Sequence, residues 1–101
     1  MADQDLYRGM IRIHVLHHAA KEVVFGLGMM RELHRHGYRI GPGTLYPILH
    51  GLYGKGYLKS QKQVVKGKVR KAYTITPRGR RALAQAKSKV RELFDEVFED
   101  A

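Results

Sequence analysis

The period of the apolar residues changes twice along this chain, and the order of the periods limits the folds that the chain can adopt. Three early segments carry apolar residues three and four positions apart, which is typical of amphipathic helices. They run roughly over residues 4–20, 26–36 and 44–53. Alternation with a period of two follows in 57–65 and 69–75, and the helical period returns over 77–98. The sequence therefore predicts a mainly α-helical fold with a small β-hairpin.

Helix-end signals sharpen these boundaries. We expect Gly37 to end the second helix in the left-handed conformation that glycine adopts without strain. Thr44 is expected to cap the third helix, which would place Pro47 in the first turn, where a missing N–H costs little. Thr76 followed by Pro77 is typical of a capped start to the last helix.

Two helices joined by a tight turn and followed by a hairpin form the pattern of a winged helix-turn-helix. The glycine- and proline-rich stretch 38–43 supplies the turn, and Gly67 supplies the residue with positive φ at the hairpin tip. We expect residues 1–76 to form a winged helix-turn-helix DNA-binding domain that includes the N-terminal helix. Residues 77–101 are expected to form a C-terminal dimerisation helix.

The charge distribution indicates a polyanionic partner. The chain has a formal net charge of +10, and 15 of its 19 Lys and Arg residues lie between Leu33 and Arg91, a stretch without any Asp or Glu. From Glu92 to Ala101 there are five acids and no base. Such a basic body favours nucleic-acid binding, and we expect double-stranded DNA as the partner.

The predicted DNA contacts come from the third helix and the hairpin. Polar side chains opposite the apolar face of the helix can reach base edges or phosphates, while hairpin cations, including Lys71, suit phosphates. Packing remains an alternative role for Tyr46, solvation for His50, and protection of an edge strand for the hairpin lysines. The predicted DNA-binding residues are Arg39, Thr44, Tyr46, Pro47, His50, Lys62, Lys66, Lys68 and Arg70.

The last helix carries a narrow apolar seam with a period near that of a coiled coil. A domain of this size has little surface with which to cover such a seam. We therefore expect it to pair with the first or last helix of a second copy in a two-fold homodimer, with packing inside one chain as the alternative. The predicted dimerisation residues are Leu6, Met10, Ile13, Leu83, Val90, Leu93, Phe94 and Val97.

Several protein classes are disfavoured. The chain has no cysteine, which removes disulfides and thiolate metal sites, and no apolar run near the roughly 20 residues that span a bilayer. Glu22 and Glu32 are the only acids between Leu6 and Arg91, and no nucleophile and base have a recognisable catalytic spacing, so we expect no enzyme. The N-terminal residues lack the order of a signal peptide, so we expect a cytoplasmic protein without membrane association.

Three histidines lie close together on the first predicted helix. His14, His17 and His18 have a spacing that can hold zinc or copper. Few carboxylates lie nearby in the sequence, so the expectation is packing at a helix interface, with no metal and no cofactor.

Four stretches resemble the PadR family of transcriptional regulators. They are Phe25-Gly26-Leu27, Gly43-Thr44-Leu45-Tyr46-Pro47-Ile48-Leu49, Gly56-Tyr57-Leu58 and Arg70-Lys71-Ala72-Tyr73-Thr74-Ile75-Thr76-Pro77-Arg78-Gly79. The resemblance implies a winged-helix domain followed by a dimerisation helix. It also implies a protein that binds a palindromic operator, usually as a repressor. Some members release DNA when a small aromatic or drug-like effector binds, often at the dimer interface. The sequence has no tryptophan for the aromatic sandwich that some drug-binding members use.

A second function stays open at this point. A winged helix can also bind RNA or another protein without reading DNA sequence. RNA-binding sheets usually display several aromatic residues, whereas this hairpin offers little beyond Tyr57 and Tyr73.

Overall fold

The computed structural model describes residues 4–99 and has the predicted winged helix-turn-helix architecture. The elements in chain order are α1 (Gln4–Lys21), β1 (Val24–Phe25), α2 (Gly26–Arg35), α3 (Pro42–Gly54), β2 (Leu58–Val65), β3 (Lys68–Ile75) and α4 (Pro77–Glu99). Strands β2 and β3 form the wing. The prediction of a mainly helical fold with a small hairpin is confirmed.

The sheet has one strand more than the predicted hairpin. Its order is β1-β3-β2, and both pairings are antiparallel. In the short strand β1, Val24 pairs with Tyr73 and Phe25 pairs with Ala72. This pairing ties the wing to the chain just before α2, so the orientation of the wing relative to the helix-turn-helix is fixed by backbone hydrogen bonds as well as by packing.

The wing ends in a two-residue turn. Lys66 has φ 51° and Gly67 has φ 79°. Two successive residues with positive φ are typical of the type I′ turn, whose twist matches that of the flanking strands. The predicted role of Gly67 is confirmed, and Lys66 is the one non-glycine residue of the described chain that shares this conformation.

The turn between α2 and α3 is held by specific hydrogen bonds. Gly37 has φ 90°, as predicted, and the next residue, Tyr38, donates its backbone N–H to the Leu33 carbonyl at 2.9 Å. This is the Schellman arrangement that satisfies free carbonyls at a helix end. In addition, His34 Nε2 donates to the Ile40 carbonyl at 2.8 Å. These bonds set the angle at which α3 leaves the turn.

The start of α3 differs from the prediction. The helix begins at Pro42, and the Gly41 carbonyl accepts from the backbone N–H groups of Thr44 and Leu45 at 3.1 Å each. Thr44 is therefore not the cap, and Pro47 lies inside the helix rather than in its first turn. The physical reason is Pro42, whose fixed φ suits the first helical position and starts the helix two residues early.

The core lies between the first three helices and the sheet. Leu45, Ile48, Leu49 and Leu52 of α3 are all buried, which confirms its predicted apolar face. The other helices bury somewhat different faces than their apolar residues suggested. Helix α1 buries Ile11, Val15, Leu16 and Ala19, and α2 buries Met29 and Leu33 while Leu27 is 45% exposed.

Thr76 connects the wing, the loop after α3 and α4. Its Oγ1 accepts from the Gly79 backbone N–H at 2.9 Å, and its carbonyl accepts from the Arg80 N–H at 2.9 Å. The predicted cap is thus confirmed. The same hydroxyl donates to the Gly56 carbonyl at 2.6 Å. A Cβ atom at Gly79 would collide with the Tyr57 carbonyl oxygen, so glycine is needed for this close approach.

Helix α4 extends away from the rest of the molecule. It has 23 residues, and its last large buried side chain is Leu83. Every described residue after Lys87 on this helix is exposed. Within residues 4–99, no helix combines the length and the apolar character needed to cross a membrane.

Candidate nucleic-acid interface

An open groove of about 770 Å³ lies between the start of α2, the exposed face of α3 and the wing. Cations line it from two sides, because Arg31 belongs to α2 and the others belong to the wing. The basic and aromatic side chains around it include Arg31, Tyr46, His50, Lys66, Arg70 and Lys71. Its lining, as far as the structure describes the chain, contains no acidic residue. The groove therefore offers an anion both hydrogen-bond donors and positive charge.

Tyr46 is held at the centre of this groove by a close contact with α2. A Cβ atom at Gly26 would lie 2.6 Å from Cε1 and 2.9 Å from the hydroxyl oxygen of Tyr46. The ring can rest there only because residue 26 is glycine. The residue is nevertheless 48% exposed. One part of the ring thus packs against α2 and the rest faces the groove, so the packing alternative describes part of Tyr46 and its predicted DNA contact stays a prediction.

Tyr73 of β3 forms part of the groove wall beside Tyr46. Burial, together with the nearby Tyr46 hydroxyl, raises the pKa of Tyr73 above its usual value. The Tyr73 phenol therefore keeps its proton at neutral pH and can donate a hydrogen bond.

The remaining predicted contacts on α3 lie along its outer face. Pro47 and His50 are exposed, whereas Thr44 is partly buried. The His50 ring stacks against Tyr53 one turn later, with ring centroids 6.4 Å apart. This face is convex and largely uncharged, so it can approach base edges while the wing supplies the charge.

The wing carries cations in positions that repel one another. Lys62 on β2 lies directly opposite Lys71 on β3 in the antiparallel register. Like charges facing each other across two strands are unfavourable. Both residues, and all others from Gln61 to Lys71, are exposed to solvent. A bound polyanion would relieve this repulsion.

The groove gathers some of the predicted DNA-binding residues and omits others. Those that line it are Tyr46, His50, Lys66 and Arg70. Those outside its lining are Arg39, Thr44, Pro47, Lys62 and Lys68. Arg39 lies in the turn before α3, and Lys62 and Lys68 lie on exposed parts of the wing. One lining residue, Arg31, was missed, because only the tertiary fold brings the exposed face of α2 beside the wing.

The predicted dimerisation residues are mostly uncovered. Ile13 is partly buried against the core. Leu83 is only 7% exposed within one chain, so it follows the alternative of packing inside one chain. The large apolar side chains that stay exposed on α1 and α4 are Leu6, Met10, Val90, Leu93, Phe94, Val97 and Phe98. Phe98 was missed by the prediction, and its ring lies 4.8 Å from that of Phe94 between centroids.

The histidines of α1 divide into two groups. His14 and His18 lie at the interface with the end of α2, as the sequence predicted, whereas His17 is exposed. The His14 and His36 rings are 4.9 Å apart between centroids. None of these residues lines the groove described above.

Comparison with known proteins agrees with the motifs. Residues 15–85 match the model of the transcriptional regulator PadR-like family. The chain is 47% identical over 95 residues to the transcriptional regulator Rv3488 of Mycobacterium tuberculosis (strain ATCC 25618 / H37Rv), and the match covers 94% of this chain and 89% of that protein.

Solved structures give the same result at the level of the fold. A PadR family transcriptional regulator from Eggerthella lenta DSM 2243 has a TM-score of 0.83 and 32% identity, with 94% of this chain and 84% of that chain covered. A transcriptional regulator from Clostridium thermocellum has a TM-score of 0.80 and 27% identity, with 95% and 96% covered. Sequence match, fold and interface geometry lead to one assignment: this chain belongs to the PadR-like family of transcriptional regulators.

Proposed function

We propose that this chain is a homodimeric, cytoplasmic repressor that binds a palindromic DNA operator. The observation that supports the proposal most directly is the basic groove that joins α3 to the wing without an acidic residue in its described lining. A nucleic-acid duplex presents a helix-sized major groove next to a phosphate rail, and these two features match α3 and the wing respectively.

In this mechanism α3 contacts the base edges and the wing binds the phosphate backbone of the DNA. Tyr46, fixed against Gly26, and His50 face the base edges or the phosphates beside them. Lys66, Arg70 and Lys71 neutralise phosphates. Repression follows because an occupied operator prevents polymerase from reaching the promoter.

Dimerisation gives the mechanism its symmetry. The exposed apolar side chains of α1 and α4 are numerous for a chain this small. A second copy related by a two-fold axis would cover them and would present two α3 helices about one helical turn apart, at ~10–10.5 base pairs. A palindromic operator mirrors that symmetry.

The proposal extends to release by a small aromatic effector. An apolar groove of about 270 Å³ lies between α1 and α4, and its lining includes Met10, Ile13 and Val90. These three residues belong to the predicted dimerisation face. A molecule in this groove would weaken DNA binding only if it favoured one arrangement of the two protomers over another.

The test is selection from a library of random duplexes, followed by fluorescence anisotropy on the selected duplex and on a scrambled duplex of equal composition. We expect an inverted repeat to be enriched and to bind at least about 100-fold more tightly than the scrambled duplex near physiological salt. Failure to enrich any sequence, with equal affinity for both duplexes, would exclude sequence-specific regulation.

The alternative, an RNA-binding or protein-interaction module, is tested in the same experiment. If the chain is an RNA-binding module, a structured RNA hairpin of equal length would compete with the selected duplex at equal concentration. The basic wing alone is compatible with RNA, but the flat aromatic surface that RNA-binding sheets use is reduced here to Tyr57 and Tyr73, and Tyr73 is buried.

A further inference from the structure

We propose that His14, His18, His36 and Glu32 bind a divalent transition-metal ion of the zinc class. These residues lie on the side of the molecule where α1 meets the end of α2, and none of them lines the basic groove. The inference therefore stands independently of DNA binding.

The four side chains form two pairs with the same spacing. His14 and His18 are four residues apart on α1, and Glu32 and His36 are four residues apart at the end of α2. Residues with this spacing share one helix face. The two faces meet, so that one ring nitrogen from each histidine lies within 4.8 Å of the others.

The distances to the carboxylate are close to those around a tetrahedral ion. Zinc holds nitrogen and oxygen ligands at about 2.0–2.1 Å, which separates ligand atoms by about 3.3 Å in a tetrahedron. Glu32 Oε2 lies 3.1 Å from His36 Nε2 and 3.7 Å from His18 Nε2. Glu32 therefore lies beside two of the three clustered histidines, and its side chain would have to rotate to complete the set with His14.

Arg35 orients the carboxylate. Its Nη1 donates to Glu32 Oε1 at 2.9 Å and leaves Oε2 directed at the histidines. Metal-binding carboxylates are commonly held by such an outer hydrogen bond. Burial alone would raise the pKa of Glu32, but Arg35, the hydrogen bond with His36 and the neighbouring histidines together lower it, so the carboxylate is ionised.

The protonation state of His14 is compatible with this geometry. Burial and the neighbouring His36, His18 and His17 rings lower the pKa of His14, and only the neutral imidazole binds a metal ion. A set of three imidazoles and one carboxylate favours zinc and its neighbours in the first transition series over magnesium or calcium, which prefer oxygen ligands alone.

A bound ion would join two functional parts of the molecule. Helix α1 carries part of the exposed apolar surface, and α2 leads through Gly37 and Tyr38 into α3. Tyr38 also packs edge-on against His14, with ring centroids 5.4 Å apart. The ion would fix the end of α2 against α1, and an ion that binds only the folded chain stabilises that state.

The test is Zn²⁺ binding by the full chain after EDTA treatment and dialysis, measured by competition with a chromophoric chelator. We expect one ion per chain, with affinity reduced about 10- to 100-fold or more in His18→Gln, His36→Gln and Glu32→Gln. The matched control is His17→Gln, a neighbouring histidine of α1 that lies outside the cluster. It should bind Zn²⁺ within about twofold of the unmodified chain, because none of the four ligands is changed.

Circular dichroism of each variant verifies folding, and a second measurement needs no variant. One equivalent of paramagnetic Co²⁺ should broaden the imidazole proton resonances of His14, His18 and His36 and leave those of His50 sharp. The proposal is overturned if the unmodified chain binds Zn²⁺ no more tightly than the His18→Gln/His36→Gln double variant. It is equally overturned if His17→Gln loses as much affinity as His18→Gln, or if Co²⁺ broadens all histidine resonances alike.

Discussion

At the scale of single residues, the position of Tyr46 depends on the absence of a side chain at Gly26. The ring occupies space that a Cβ atom at Gly26 would fill, with Cε1 2.6 Å from that position. Since the contacting atoms belong to the outer half of a ring that can rotate, the fold can accommodate a methyl group by moving Tyr46. The cost would then fall on DNA recognition more than on stability.

Gly26→Ala is therefore expected to weaken binding to the selected duplex about tenfold, which corresponds to about 1.4 kcal/mol. Fluorescence anisotropy measures this change. The matched control is Gly9→Ala in α1, a helical glycine outside the groove lining where a Cβ atom would meet nothing within 4 Å. The control should stabilise the fold by about 0.4–1 kcal/mol and leave DNA affinity unchanged. Equal affinity losses in both variants would show that Tyr46 is not positioned by Gly26.

His14 makes stability depend on pH. Burial, followed by the nearby His36, His18 and His17, lowers its pKa, while Glu32 opposes that effect more weakly. Tyr38 and Lys87 also face this region from the turn and from α4. Because the folded chain holds this proton less tightly than the unfolded chain, stability is fully present above the unfolded pKa of 6.5 and is lost as the pH falls through the lower folded value.

Urea unfolding in EDTA should therefore show a free energy of unfolding that rises from about pH 5 to about pH 7. His14→Gln should show a shallower rise over the same interval, because its neutral side chain does not titrate. A rise in the variant as steep as that of the unmodified chain would contradict the assigned role of His14.

At the scale of elements, one residue in the turn of the wing allows the effect of turn geometry to be tested separately from the effect of charge. Lys66 has φ 51° and precedes Gly67 in the type I′ turn. Asparagine before glycine is strongly preferred in this turn. A substitution at this position can therefore remove the charge without weakening the hairpin.

Lys66→Asn is expected to leave thermal stability equal or higher while weakening binding to the selected and the scrambled duplex to the same extent. The slope of log affinity against log salt should become shallower by about 0.9, because one phosphate is no longer neutralised by the protein. Lys89→Gln on α4, outside the groove lining, is the control and should keep the original slope. Weaker binding to the selected duplex alone would assign Lys66 to base reading instead.

The elements also show what the sequence could and could not predict. The buried face of α3, the Gly37 turn, the wing and the Thr76 cap follow from local signals of period and capping, and all were predicted. Strand β1 was not, because the two residues Val24 and Phe25 are too short to show a period and are defined only by pairing with β3. The start of α3 was placed late, because a threonine cap and a proline at the first helical position compete and Pro42 prevails.

The binding surfaces were predictable only in part for a related reason. Tyr46 and the wing cations belong to segments whose proposed roles follow from local sequence signals. Arg31 lines the groove only through the packing of α2 beside the wing. Similarly, His36 and Glu32 meet the histidines of α1 only after the helices fold together. Contacts between segments that are distant along the chain leave no periodic trace in the sequence.

At the scale of the whole molecule, α4 is the helix whose apolar side chains one chain leaves exposed. The molecule measures 54 × 32 × 20 Å, and the apolar residues from Val90 to Phe98 lie exposed on the extended helix. Burying apolar surface contributes about 25 cal/mol of stabilising free energy per Å² removed from water. A second copy is the partner that the proposed function requires.

Phe94→Ser is expected to shift the protein from a dimer to a monomer of 11.6 kDa at micromolar concentration, as measured by sedimentation equilibrium. Folding should persist, because Phe94 is 50% exposed and lies outside the core. The variant should still bind a half-site duplex weakly and should lose most of its affinity for the full palindrome. A monomeric mass for the unmodified chain under the same conditions would exclude the proposed dimer.

The central claim is that α3 lies in the major groove while the wing holds the neighbouring phosphates. Protection of guanine N7 atoms from methylation tests it most directly, because N7 is exposed in the major groove. On the selected duplex, the account predicts two protected patches about one helical turn apart, ~10–10.5 base pairs, both absent from the scrambled duplex. Uniform protection along both duplexes, or none on either, would contradict it.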